Sequence, residues 1–156
     1  MEEYNDLIIQ MKDLKEELLM IKKYIDWINS FHNTIRKNRS KAKQIVYLRS
    51  QLSIGLFNKE KRKEIKKAII DISNEIVNID SKEEIRNIKR DFEENFVSKY
   101  PEYRNINDLF KTVDINDMLN ILNDIYEKKA HTYNSKIDKY FEVQRNLYNN
   151  HVKILK

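Results

Sequence analysis

Histidine and cysteine carry much of the acid–base, nucleophilic and metal chemistry of proteins; this chain has three of the first and none of the second. His32, His131 and His151 are far apart, and none has a carboxylate at a spacing such as HExxH that would put two ligands on one helical face. No metal site and no cofactor are expected. The absence of Cys removes thiolate ligands, thiol nucleophiles and disulfides together. Gly-rich phosphate loops, the GxSxG elbow and paired ExxH motifs are also missing, which leaves nucleotide, acyl-transfer and di-iron chemistry without support.

What remains is charge. Residues 36–67 hold 12 basic and 2 acidic groups, for +10, whereas residues 1–35 carry −3 and residues 68–156 carry −2. "RKNRSKAK" contributes Arg36, Lys37, Arg39 and Lys43, and "KEKRKEIKK" contributes Arg62, Lys63, Lys66 and Lys67. At about 100° per residue the second group is read as facing water, opposite Ile65, Ile69, Ile72 and Ile76. Such a surface suits sequence-independent contact with nucleic-acid phosphates, or docking on an acidic protein. The plainer alternative is a solvated face whose Lys stems cover apolar neighbours. Tyr47 and Phe57 are the nearest aromatic residues, and no zinc-finger or RNA-recognition signature is present, so base stacking is not expected.

One short stretch carries an enzymatic alternative. "RNLYNNH", Arg145 to His151, resembles the motif of the HEPN ribonuclease family, in which an Arg, often followed by a polar residue, precedes a His by a few positions. The resemblance covers seven residues. It implies that Arg145 and His151 act on a phosphodiester without a metal, in an α-helical and usually dimeric RNase, with Asn146 at the polar position.

The elements that must position these residues are helices. One Gly and one Pro in 156 residues leave few places for tight turns, which excludes a turn-rich β fold. Stepping by three and four from Tyr4 gives Leu7, Met11, Leu14, Leu18, Ile21, Ile25, Ile28, His32 and Ile35, a heptad seam of coiled-coil type. This seam is expected to be internal core, with a homodimer through Leu7, Met11, Leu14, Leu18, Ile21, Ile25 and Ile28, or a partner helix, as the alternative. A bend is expected at "NRS", Asn38 to Ser40, before the chain stops at Gly55. A second seam runs through Ile65, Ile69, Ile72, Ile76 and Ile79. "SKEE" at Ser81 to Glu84 reads as a capping box, and Ile85, Ile88, Phe92, Phe96 and Tyr100 follow on one face as far as Pro101. Asp114 caps a last long helix whose apolar contacts drift from Met118, Leu122 and Ile125 to Tyr126, Ala130, Tyr133, Ile137, Tyr140, Leu147 and Ile154.

The expectation is therefore a single all-α domain over residues 1–156. It is an elongated up-and-down helical bundle, or antiparallel coiled coil, of three to five helices near 2–37, 40–54, 58–79, 81–100, a short 106–112, and 114–155. The opening "MEEYND" is acidic where a secretory signal is basic, and no stretch is apolar for the length of a membrane span, so no membrane partner is expected. Ile, Asn and Lys, the residues of AT-rich codons, fill 62 of 156 positions, which points to a low-GC source such as a bacterium, phage, virus or protozoan. The expected function is non-enzymatic: an interaction protein, of the kind a phage or mobile element uses as an accessory factor. It binds nucleic acid or an acidic protein through residues 36–67 in the cytoplasm, or inside a host cell if the source is viral. The HEPN-like ribonuclease and a purely structural coiled-coil adaptor are the alternatives.

Overall fold

A computed structural model describes residues 2–155, with side chains described for residues 2–151; Ile154 lies outside the latter. Among the described residues there are five α-helices: α1 (Glu2–Ile54), α2 (Lys59–Glu75), α3 (Ser81–Asp91), α4 (Arg104–Phe110) and α5 (Ile115–Leu155). No strand occurs among the described residues, so the fold is all-α. The chain divides into two compact units, Met1–Asp26 with Lys89–Lys156, and Trp27–Ile88. Both take part of α1.

In the first unit α1 and α5 pack antiparallel. Tyr4 stacks on Tyr140 at 5.4 Å between ring centroids, and Lys136 Nζ donates to Gln10 Oε1 at 2.8 Å. Lys139 pairs with Glu3 at 3.5 Å and Lys129 with Glu17 at 3.4 Å. As the position on α1 advances, its partner on α5 recedes. The α1 seam is the chain's own core here: Leu7, Leu18, Ile21 and Ile25 are buried, Met11 and Leu14 half-buried. Ile28 is buried in the second unit.

Directly after α3, residues Phe92–Val97 form a π-helical turn. Its wider winding brings Phe92, Phe96 and Val97 inward together, and all three are buried. Phe92 stacks on Phe96 at 4.9 Å and meets Tyr24 edge-on at 5.3 Å and Phe110 at 5.1 Å, while Phe96 meets Tyr103 at 4.8 Å. Edge-to-face packing of this kind adds to the area these rings bury. Pro101 then ends the run as expected and opens a single 3₁₀ turn, Pro101–Tyr103. Two carboxylates are taken into this core with partners. Glu17 is buried, accepts a hydrogen bond from the Tyr103 hydroxyl and pairs with Lys129. Asp91 Oδ1 accepts from the Tyr24 hydroxyl at 2.6 Å, and Oδ2 accepts from Asn95 at 3.0 Å. Burial, then the hydrogen bond, then the neighbouring negative charge hold both phenols well above the usual tyrosine range.

The second unit is a helical hairpin with the start of α3 against it. No break occurs at Asn38 to Ser40, where the helices were expected to part: α1 continues through it. Asn38 is used otherwise, its amide donating to Val77 O at 2.7 Å and its carbonyl accepting from Val77 N at 3.0 Å. That pair satisfies the backbone where α2 has ended, for Ile76 is already extended and α2 stops at Glu75 instead of reaching residue 79. The α3 cap also differs from the sequence reading. Asp80 accepts from Glu83 N at 3.2 Å, so Ser81 is the first helical residue, and Glu84 accepts from Trp27 Nε1 at 2.6 Å rather than reaching back. Asn58 and Asp114 do cap α2 and α5, through Lys61 N and Asp117 N, each at 2.8 Å. Gly55 ends α1 at φ +70°, a conformation that a side chain disfavours.

Candidate basic interface

Cross-hairpin contacts fix how α1 and α2 present their charges. Asn38 meets Val77, Lys41 donates to Glu75 O at 3.0 Å, and Arg62 donates to Leu52 O at 3.1 Å. Partners on α2 recede as positions on α1 advance, so the pair is antiparallel in steady register. Ile45 and Ile65 are its buried centre. Both basic runs therefore lie on one hairpin.

Seven of the eight basic residues expected at the interface are exposed: Arg36, Lys37, Arg39, Lys43, Lys63, Lys66 and Lys67. Arg62 is the exception and corrects the sequence reading. It precedes Ile65 by three residues, about 60° around the helix, and so lies on the buried flank rather than opposite the stripe. There it is half-buried and satisfies a carbonyl in the last turn of α1. Lys41 and Lys61 are also engaged, with Glu75 at 4.0 Å and Glu64 at 3.6 Å. Two cations that sequence reasoning did not single out, Arg49 and Lys59, join the exposed set, although both belong to the same charge run. Among the described residues none of these nine cations lies within ion-pair distance of a carboxylate.

Apolar side chains sit among them. Val46 (66%), Tyr47 (63%) and Ile70 (60%) are largely exposed. A cavity of about 500 Å³ opens between Lys43, Gln44, Tyr47, Leu48, Ser40 and Ile72. The signal for these was the apolar run "IVYL" between the basic stretches, which reads equally well as core. On α1 the exposed positions Arg36, Ser40, Lys43, Tyr47, Ser50 and Ile54 recur at steps of four and three, a stripe with the helical period.

Arg145 and His151 are not brought together. Both are exposed and stand on uninterrupted α5, about 120° apart around its axis and ~9 Å along it. Arg145 borders a shallow cavity with Phe141, Gln144 and Tyr148, from which His151 is absent. His131 is exposed, and His32 is half-buried with Nε2 sealed from solvent and without a hydrogen-bond partner. Among the described residues no group of His, Asp and Glu is arranged to hold a metal ion, and no helix is long and apolar enough to cross a membrane.

Comparison with protein-family models, with curated proteins and with solved structures finds no match to this chain.

Proposed function

We propose that the protein is a non-enzymatic binding protein whose α1–α2 hairpin engages the phosphate backbone of nucleic acid without reading sequence. The observation that supports this reading is the set of nine exposed, unpaired cations on the hairpin. Like charges held this densely repel one another, and a polyanion relieves that repulsion while releasing its own condensed counterions. Lys outnumbers Arg in the α2 run and the hairpin offers a single exposed aromatic, Tyr47, which favours contact with phosphates over stacking on bases. This reading places the protein inside the cell with such polyanions.

The test is fluorescence anisotropy of a generic duplex and a generic RNA at rising salt. Affinity should fall steeply with salt and differ little between sequences. Changing Lys63, Lys66 and Lys67 together to Glu should weaken binding and shallow the log–log salt slope by about 0.9 for each phosphate that is no longer neutralised. Helix content should hold, because the three are exposed and Glu is a good helix former. Absence of binding at low salt overturns the phosphate reading. An acidic protein surface is then the partner to seek, with the same variant as the control in a pull-down.

A further inference from the structure

The turn between α1 and α2 is apolar and points into open space. Leu56 is 81% exposed and Ile54 60%, while Phe57 is half-buried behind them. A Cβ built on Gly55 would meet nothing within 4 Å. The fold leaves Ile54 and Leu56 largely outside its core, and the turn is already closed by the Asn58 cap and by Arg62 on Leu52 O. Exposed cations flank it in the chain: Arg49 between one and two turns back on α1, Lys59 at the start of α2 and Lys63 about one turn on. The acids nearby are Glu60 and Glu64, the latter paired with Lys61.

Phosphate binding gives no use to an exposed Leu and Ile at the end of the hairpin. A protein partner would need a concave pocket shaped to a convex tip. A lipid headgroup layer, being fluid, closes around a convex tip of any shape, and anionic headgroups complement the cations behind it. We propose that the Ile54–Leu56 turn inserts into the headgroup layer of an anionic phospholipid bilayer, with Arg49, Lys59 and Lys63 anchoring it electrostatically. The proposal shares Arg49, Lys59 and Lys63 with the phosphate reading and adds the apolar turn, which that reading does not use, so a change confined to Leu56 separates the two.

The full-length protein is sedimented with vesicles of phosphatidylcholine alone and of phosphatidylcholine with phosphatidylserine, at low salt. It should bind the second and not the first. Leu56→Ser should weaken vesicle binding about tenfold or more, the effect of withholding one Leu from an apolar phase, and leave duplex binding and the melting curve unchanged. In Leu56→Trp, indole emission above the Trp27 background should shift to the blue with anionic vesicles and be quenched by brominated acyl chains. No sedimentation with anionic vesicles, equal binding to neutral ones, or unchanged vesicle affinity in Leu56→Ser would each overturn the proposal.

Discussion

Alkaline pH should unfold this protein by a route that its tyrosines define. Tyr24 and Tyr103 are fully or almost fully buried, and each donates its hydroxyl to a carboxylate, of Asp91 and Glu17 respectively. Both phenols are therefore raised above the value of about 10 that they regain in the unfolded chain. A raised pKa means that the folded state keeps its proton where the unfolded state loses it. The stabilisation is then complete below pH ~10 and is lost as pH climbs above it. Each tyrosine contributes a slope of about 1.4 kcal/mol per pH unit, so the pair contributes about 2.7. Against a total stability of roughly 5–15 kcal/mol, one pH unit above the unfolded pKa removes a substantial share. The assay is thermal melting by helical circular dichroism from pH about 8 to about 11.5, with phenolate absorbance in parallel. The double variant Tyr24→Phe, Tyr103→Phe should be less stable at pH ~8, having lost two hydrogen bonds to carboxylates, yet fall off less steeply with pH. Lysine titration is common to both proteins and cancels in the comparison. Equal slopes in wild type and variant would refute the argument, as would phenolate absorbance from all nine tyrosines before helicity is lost.

Ile21→Asp should lower stability by about 3 kcal/mol or more, since Ile21 is fully buried and a carboxylate there gains no partner; an unchanged melting curve would place the seam in solvent. Arg62→Ala should cost about 1 kcal/mol by leaving the Leu52 carbonyl unpaired, while duplex binding barely changes, because Arg62 serves the fold. His32→Leu should raise the melting temperature, by an amount that reflects about 1 kcal/mol, because it removes a buried nitrogen that finds no hydrogen bond; a lower melting temperature would show that the imidazole is satisfied in solution.

Features set by local chemistry were legible in the sequence, and features set by contacts across the fold were not. The heptad spacing located buried Leu18, Ile21 and Ile25, and the Gly55, Pro101 and Asp114 boundaries stand where the sequence puts them. Each follows from periodicity or from one residue's backbone limits. The break expected near Asn38 did not occur, since no Pro or Gly interrupts the helix there, and the Asn38 side chain instead bonds Val77, a residue 39 positions on that no local rule connects to it. Asp80 took the cap from Ser81 for a similar reason: the two are adjacent and chemically equivalent as caps, and Glu84 was already drawn to Trp27. The π turn at Phe92–Val97 has the same apolar spacing as an α-helix would show, and only the packed rings reveal the extra winding. For the interface, the charge sum located the basic segment 36–67, but placing Arg62 needed its three-residue offset from Ile65 to be weighed, and the exposure of Tyr47 and Leu56 has no signature in an apolar run that reads equally well as core.

Helix α1 belongs to both units, but the two close over different lengths of chain. The Trp27–Ile88 unit is continuous in sequence, and its tying contacts span 10 residues for Arg62 with Leu52, 34 for Lys41 with Glu75 and 57 for Trp27 with Glu84. The other unit must join the start of α1 to α5, across 126 residues for Gln10 with Lys136 and 136 for Tyr4 with Tyr140. Longer loops cost more entropy to close, and contacts distant in sequence form later. On a ribosome the order is stricter still, because α5 does not exist until most of the chain has been made. The contacts that close the basic hairpin can thus form before Tyr4 and Gln10, at the start of α1, meet their partners on α5.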